Sequence, residues 1–313
     1  MFTYALRRIF WTIPTLLIVF TVVFFVMRLA GGDPTYVILG DYADAEAVSN
    51  LRESLGLNKP LMIQYGEALA NLLKGDFGRS LINNRPITPQ VMGVLPYTLE
   101  LAVGAILIGV ILGIPTGIVA ALRKNSWVDY FLRVFSLAGL SAPSFYLGIL
   151  LLILFSLQLG WFPIIGYSRT GGFLTRIYYL FLPALSLGLT FAAFTSRMSR
   201  SSMLERLGAD YIRTARAKGL SETKVIFKYA LKDSLIPIVT VVGVYIGVLM
   251  GGSILTETVF NRPGLGKYLI GAIQQRDYNA IQSGLVIYAT IIVSVNLFVD
   301  IVYGLIDPRV KLD

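Results

Sequence analysis

The chain has 313 residues, of which 55% are hydrophobic and only 14% are charged. Because soluble globular domains carry about 25% charged residues, this composition predicts a surface that largely meets lipid instead of water. The net charge of +9 does not indicate a nucleic-acid partner, since the basic residues cluster in short segments between apolar runs, as in cytoplasmic loops of membrane proteins. Cysteine and histidine are absent, which excludes disulfides and removes the commonest metal ligand and general base.

Six apolar segments are long enough to form membrane spans, since about 20 helical residues cross a hydrocarbon core about 30 Å thick. The first begins after Arg7 and Arg8, as a signal peptide does. Its apolar run is too long for one, however, and Arg28 stands where a cleavage site requires a small residue. We therefore expect an uncleaved first span in an all-α integral membrane protein with six transmembrane helices. The predicted spans cover about residues 9–30, 98–122, 134–157, 179–196, 235–255 and 283–306.

The distribution of Lys and Arg between the spans predicts the orientation of the chain. The N-terminus, segments 123–133 and 197–232 and the tail after residue 306 together hold 16 of these residues, and the segments on the opposite side hold 10. We therefore expect both termini in the cytoplasm. The resulting organisation is an N-terminal transmembrane helix over 1–30, an extracytoplasmic loop region over 31–97 and a five-helix core over 98–313.

The predicted cytoplasmic loop 197–232 holds a third of all Lys and Arg residues. It is expected to form two short helices around a glycine turn. The first covers about 209–218 and is ended by Gly219, since glycine readily takes the left-handed conformation that caps a helix. The second starts after Ser221, with Glu222 in its first turn complementing the helix dipole.

Two interpretations of this loop stay open. In one, a stripe of lysines repeated every four residues sets the topology and contacts anionic lipid heads. In the other, a small apolar ridge and small side chains on the first helix dock into a groove on a soluble partner. The stripe consists of Lys224, Lys228 and Lys232, and the docking interpretation rests on Tyr211, Ile212, Ala215, Ala217 and Gly219.

The first helix of the loop and its glycine resemble a known family. They are similar to the coupling loop of ABC-importer permeases, in the form used by the dipeptide/oligopeptide/nickel group. The general signature is Glu-Ala-Ala, three residues, Gly, nine residues and Ile-x-Leu-Pro, and Ala215, Gly219 and Leu231 keep their places in it. Arg213 and Thr214 replace its Glu-Ala pair, as in this group. The resembling residues are Tyr211, Ile212, Arg213, Thr214, Ala215, Arg216, Ala217, Lys218 and Gly219.

The resemblance extends over nearly the whole chain. A short N-terminus and a long first external loop are typical of the first of the group's two paired permeases. The motifs that carry the resemblance are Tyr4-Ala5-Leu6-Arg7-Arg8, Gly32-Asp33-Pro34, Leu55-Gly56-Leu57, Gly75-Asp76-Phe77-Gly78-Arg79-Ser80, Leu95-Pro96-Tyr97-Thr98-Leu99-Glu100-Leu101, Thr256-Glu257-Thr258-Val259-Phe260, Pro263-Gly264-Leu265-Gly266, Arg276-Asp277-Tyr278 and Asp307-Pro308-Arg309.

The resemblance implies a type I ABC-importer permease fold in a bacterial or archaeal cytoplasmic membrane. Its implied partners are a second homologous permease, two cytoplasmic ATPases and an extracytoplasmic solute-binding protein, besides membrane lipid. This chain would then carry no cofactor and no catalytic site, since ATP and Mg²⁺ bind the partner ATPases. The implied solute is a di- or oligopeptide, with nickel and glutathione as alternatives.

Two other classes of function would need residues that the sequence does not offer. A stand-alone secondary carrier would need ion-binding groups at the membrane midplane, commonly on broken helices, and the sequence offers no clear candidates. A membrane enzyme would need clustered nucleophiles, bases or metal ligands, and we find none in the sequence.

Other sequence features have a structural and a functional interpretation. Segment 261–267 imitates a phosphate loop, but Asn261 replaces its first glycine and Tyr268 its final Ser or Thr, so we expect the turn of a re-entrant or gating segment. Glu100 and Asp300 are the ionisable residues nearest lipid depth, and both a translocation role and interhelical hydrogen bonding stay open for them.

Small residues at helical spacing predict close helix packing, and prolines predict kinks or ends of spans. These are Gly104, Gly109, Gly113, Gly117, Gly243, Gly247, Gly251 and Gly252, and Pro115, Pro143 and Pro183.

Overall fold

A computed structural model describes residues 2–30, 32–40, 43–168 and 171–306, without the side chains of residues 2–9, 30, 236, 240, 241, 244, 246, 298 and 300–306. The regular secondary structure of the described residues is entirely helical, with no β-strand among them. Its α-helices in chain order are α1 Phe2–Ala30, α2 Pro34–Leu39, α3 Ala45–Ser54, α4 Leu61–Leu73, α5 Ile87–Leu122, α6 Trp127–Ser141, α7 Ser144–Leu151, α8 Phe173–Leu207, α9 Asp210–Ala217, α10 Glu222–Lys224, α11 Leu231–Val259, α12 Leu265–Gln274 and α13 Tyr278–Ile306. Two π-helical segments, Leu152–Gln158 and Val225–Ala230, continue α7 and α10.

Five of the six predicted spans each lie within a single α-helix. Within the described residues, four helical segments are long and apolar enough to cross a membrane, and a bent pair raises this number to five if the pair counts as one span. The predicted fifth span lies within α11, which is 29 residues long. The four segments are Phe10–Leu29, Ile87–Leu122, Phe173–Leu207 and Tyr278–Leu297.

The predicted third span, 134–157, is not one straight helix. The helical segments on either side of Ala142 and Pro143 are bent by 104° relative to each other. Proline cannot continue the hydrogen bonding of the preceding helix, and it pushes the residue before it out of the helical conformation. Ala142 accordingly has extended φ and ψ of −89° and 127°. The prediction that Pro143 kinks or ends a span is therefore confirmed, whereas the single-helix prediction is wrong.

Two helices extend well beyond the predicted membrane boundaries. Helix α5 begins at Ile87 instead of residue 98, and α8 ends at Leu207 instead of residue 196. Helices of 36 and 35 residues are about 50 Å long and exceed a hydrocarbon core of about 30 Å. Residues 197–207, predicted as loop, are therefore a helical extension, and Gly208 follows the helix as its C-cap.

The chain forms two compact units. One comprises Thr98–Arg262 and the described residues from Val295 onward, and the other comprises the described residues of Phe2–Tyr97 and Pro263–Ser294. The first is built on the packing of α5 against α8. A Cβ added at Gly113 would lie 2.7 Å from the Ala192 carbonyl oxygen, and one added at Gly117 would lie 2.4 Å from that of Ser196. The predicted glycine series on α5 therefore packs against a neighbouring backbone, as small residues do between helices in lipid.

The second unit brings two of the sequence motifs into contact. Asp277, just before α13, accepts hydrogen bonds from Ser80 Oγ (2.5 Å) and from the backbone N–H groups of Leu81 and Ala280 (both 3.1 Å). Asn279 Nδ2 donates to the Arg79 carbonyl oxygen at 3.0 Å. Asp277 therefore caps α13 and holds the segment after α4 against it, which explains why a carboxylate stands at this position. Helix α4, Leu61–Leu73, belongs to the same unit.

Candidate functional site

The candidate site is helix α9 and its glycine turn, in the first unit. Helix α9 covers Asp210–Ala217, and Gly219 follows it with a φ of 76°. The Gly219 N–H donates to the Arg216 carbonyl oxygen (2.9 Å) and the Leu220 N–H to that of Ala215 (3.4 Å). These two bonds form a Schellman cap, in which the residue after the C-cap is left-handed. The predicted helix, its end and its glycine cap are confirmed.

The apolar ridge predicted to meet a partner largely faces this chain instead. Ile212 is fully buried and Ala215 is only 6% exposed. An eight-residue helix cannot stay folded alone in water, so α9 needs apolar contacts with the rest of the chain, and these two residues supply them. Their cluster contains Ala121, Met203, Ile212, Ala215, Val225 and Ala230, with Leu220 packed against it.

Tyr211 is partly buried against this chain and partly accessible to solvent. It is 37% exposed, and its hydroxyl hydrogen-bonds the Asp233 carboxylate in the first turn of α11. Partial burial, followed by this hydrogen bond and the charge of Asp233, raises the pKa of the Tyr211 hydroxyl above its usual value. The residue therefore fixes α9 against the start of α11, while its outer edge remains accessible.

The exposed face of α9 is polar and basic. Arg216 donates two hydrogen bonds to Glu222 across the turn, Nε to Oε1 at 2.6 Å and Nη2 to Oε2 at 3.2 Å. The bond from Arg216, more than any other cause, holds the pKa of the Glu222 carboxyl below its usual value. Asp210 and Arg213 form a second exposed ion pair at 3.3 Å. The predicted site residues that remain exposed are Tyr211, Arg213, Thr214, Arg216, Ala217, Lys218 and Gly219.

The segment after the turn exposes a residue that the sequence analysis missed. Lys224, Lys228 and Lys232 are all exposed, as the predicted stripe requires. Phe227, in the π-helical turn Val225–Ala230, is also 58% exposed. A π-helical turn adds a residue per turn and changes the helix face on which later side chains lie. The sequence does offer one indication of this exposed residue, since Phe227 is an apolar side chain between Lys224 and Lys228 of the predicted basic stripe.

A second polar cluster lies elsewhere in the same unit. Glu100, left open between a translocation and a structural role, pairs with Arg176 and accepts a hydrogen bond from Arg262 at 2.8 Å. Arg262 also donates to the Gly166 carbonyl oxygen. Glu257, fully buried on α11, accepts from Thr98 Oγ1 at 2.6 Å. The Asp300 side chain and the Asp307-Pro308-Arg309 motif lie outside the described residues.

A buried ion pair joins α6 to α8 and was not predicted from the sequence, where Arg200 served only in the count of basic residues. Arg200 Nε and Nη2 donate to the two carboxylate oxygens of Asp129 at 2.7 and 2.8 Å, and Asp129 is fully buried. Ser126 caps α6 by accepting from the Asp129 N–H at 3.3 Å. The Ser-x-x-Asp spacing at a helix start predicts the cap, but not the arginine on α8 that joins it.

Comparisons with known proteins agree with this geometry. A family model for the binding-protein-dependent transport system inner membrane component matches residues 113–312, and a model for the N-terminal part of such membrane components matches residues 1–102. The dipeptide transport system permease protein DppB of Alkalihalophilus pseudofirmus is 43% identical over 99% of this chain and 100% of its own length. The di/tripeptide permease DppB of Pseudomonas aeruginosa is 40% identical and the glutathione permease GsiC of Escherichia coli is 39% identical, each over 99% of both chains.

Solved structures share the fold. An inward-facing structure of the MetNI methionine ABC transporter matches with a TM-score of 0.56 and 19% identity, over 70% of this chain and 97% of that one. An amino acid ABC transporter matches with a TM-score of 0.51 and 18% identity, over 71% and 95%. The family match over residues 113–312, together with several apolar helices, makes this a multi-pass inner-membrane protein. The chain therefore belongs to the family of binding-protein-dependent transport system inner membrane components, and is a permease of an ABC importer.

Proposed function

We propose that this permease carries di- or oligopeptides. The observation that carries the substrate class is the similarity to a dipeptide permease, 43% identical from end to end. The relative named for glutathione handles a tripeptide, so it fits the same class of solute. Nickel is the alternative solute, and its chemistry differs from that of peptides. A stand-alone secondary carrier is an alternative class of transporter with less support.

Uptake tests the substrate class. The chain and the products of its neighbouring genes are produced in cells that lack other peptide and nickel importers. Uptake of a radiolabelled dipeptide is expected, with competition by unlabelled di- and tripeptides and no competition by Ni²⁺. Saturable nickel uptake without dipeptide uptake would contradict the peptide assignment. Dipeptide uptake by the purified chain alone in liposomes would favour the secondary carrier.

The proposal extends to the assembly. The chain forms half of the translocation pathway with a second, homologous permease, and a solute-binding protein delivers the solute from outside. Two cytoplasmic ATPases hydrolyse ATP and act on the membrane subunits through α9. The exposed face of α9 supports this docking, because its fold is held by this chain's own core while its small and basic side chains are left for a partner.

A matched pair of variants tests the docking. Ala217 lies on the exposed face of α9, and Ala70 is equally an exposed alanine on helix α4. Ala217→Trp should insert and fold normally but lose the co-purifying ATPases, because its bulk prevents close approach. Ala70→Trp should retain them. ATPases still bound to Ala217→Trp, with normal transport, would contradict docking at this face.

The proposed topology has six spans with both termini in the cytoplasm and α9 on the same side. Helix α11 supplies the fifth of these spans in chain order, since 29 residues give about 43 Å of helix. Asn50→Cys and Ser221→Cys place single thiols at exposed positions of a chain that has no native cysteine. An impermeant thiol reagent should label only Asn50→Cys in intact cells. Labelling of Ser221→Cys from outside would contradict the proposed orientation.

A further inference from the structure

A groove with a volume of about 310 Å³ lies between α6, α8 and the end of α5, away from helix α9. One part of its wall is apolar and is formed by Leu132, Leu137 and Leu140 on α6. The other part is basic and hydroxylated. It contains Arg133, Ser136, Arg197, Arg200 and Ser201.

The three arginines of the groove are not equivalent. Arg200 is neutralised by its bidentate pair with buried Asp129. Arg133 lies over the Tyr130 ring, 5.0 Å from its centroid, and Arg197 lies 5.8 Å from the Phe194 centroid. Within the described residues, neither of these two guanidiniums has a carboxylate at ion-pair distance. The groove therefore presents two guanidiniums that each lie near an aromatic ring and form no direct ion pair, although the charge of Asp129 acts on Arg133 as well as on Arg200.

The surroundings of the groove have the character of a membrane interface. Trp127, Tyr130 and Phe131 at the start of α6 are 77%, 51% and 61% exposed. Aromatic side chains of this kind are enriched at the level of the lipid headgroups. Farther along α6, exposed Val134 and Leu137 (65% and 56%) continue the apolar surface toward the hydrocarbon core. This order of aromatic and apolar side chains is typical of the boundary between headgroups and acyl chains.

We propose that this groove binds an anionic phospholipid, with its phosphate between Arg133 and Arg197 and its acyl chains along Leu137 and Leu140. Guanidinium groups bind phosphate oxygens through paired, charge-assisted hydrogen bonds. Ser136 and Ser201 add hydroxyl donors within the same groove. Basic grooves between membrane helices bind anionic headgroups by this chemistry, and the apolar wall favours a lipid over free phosphate.

Lipid retention tests the proposal. The full chain, with the subunits that co-purify, is equilibrated in detergent with equal amounts of phosphatidylglycerol and phosphatidylcholine, and native mass spectrometry counts the bound molecules. The wild-type chain should prefer phosphatidylglycerol. In Arg133→Gln/Arg197→Gln the bound phosphatidylglycerol should fall by about tenfold or more. The control Arg123→Gln/Lys124→Gln makes the same change in charge just before α6, at exposed residues outside the groove, and should keep wild-type retention.

Further arms separate the lipid from other occupants. Ser201→Trp fills the groove from an exposed position without altering charge, and should also release phosphatidylglycerol. Thermal unfolding of each variant checks that the chain still folds. Unchanged retention in Arg133→Gln/Arg197→Gln, or an equal loss in the Arg123→Gln/Lys124→Gln control, would overturn the proposal. Competition by inorganic phosphate alone would assign the groove to a free anion. Loss of the second permease with normal lipid retention would assign it to a subunit interface.

Discussion

Arg262 and Glu100 form a hydrogen-bonded ion pair of 2.8 Å, although the Arg262 side chain is only 2% exposed. Glu100 also pairs with Arg176 at the start of α8. One carboxylate on α5 therefore holds two arginines that are distant in sequence. Because a buried guanidinium without a counter-charge is costly, the Glu100 carboxylate stabilises this cluster.

Glu100→Gln should lower the stability of the protein by about 2 kcal/mol, since a hydrogen bond to a charged group contributes about 1.5–3 kcal/mol. Thermal unfolding in detergent measures the effect. Glu205→Gln is the matched control, because the Glu205 side chain is 72% exposed and lies 3.7 Å from Arg206, and a surface change of this kind costs at most about 0.5 kcal/mol. Equal unfolding temperatures for the two variants would mean that the Glu100 pairs contribute little.

Gly117→Ala should destabilise the packing of α5 on α8. The new Cβ would lie 2.6 Å from Ser199 Cβ as well as 2.4 Å from the Ser196 carbonyl oxygen, and overpacking of this kind costs about 1–3 kcal/mol. Gly93→Ala on the same helix is the control, since its Cβ would meet no atom within 4 Å. Gly93→Ala should be neutral or slightly stabilising in thermal unfolding. A neutral Gly117→Ala would show that the two helices separate easily.

Gly219→Ala should cost about 1 kcal/mol from backbone strain, because a side-chain-bearing residue disfavours a positive φ. The space around Gly219 is open, with no atom within 4 Å of an added Cβ, so a steric clash within this chain does not contribute. Gly219→Asn should restore part of the stability, since Asn tolerates this conformation. Gly208→Ala is the control at a φ of −85°. If Gly219→Ala unfolds like Gly208→Ala, strain at the cap is unimportant.

The Arg216–Glu222 pair predicts a pH dependence of the turn after α9. The pKa of the folded Glu222 carboxyl is lowered, first by the hydrogen bond from Arg216. The pair therefore stabilises the turn fully above the unfolded pKa of about 4.3, and this stabilisation is lost as the pH falls through the lower, folded pKa. Carbon-13 NMR of the labelled carboxyl should find a depressed pKa that rises toward its ordinary value in Arg216→Gln. Identical titrations in both proteins would contradict the pairing.

The sequence by itself determined the class of the protein and the local structure of its loop. Apolar runs longer than about 20 residues force a helical membrane protein, because backbone groups in lipid must be paired within the segment. The end of α9 at Gly219 also followed from sequence, since the positive φ is a property of one residue and its neighbours. The resemblance of residues 211–219 to permease coupling loops led to the family in the same way.

Only the tertiary structure decided which side chains meet. The burial of Ile212 and Ala215 depends on Met203 and Val225 from neighbouring segments. The sequence of α9 alone therefore does not predict that this apolar ridge faces the rest of the chain. The partners of Glu100 likewise lie 76 and 162 residues away. Residues so far apart contact each other only after helices pack, and helix periodicity carries no information about the neighbouring helix. The ion pairs, the lipid groove and the exposed face of α9 are therefore products of packing.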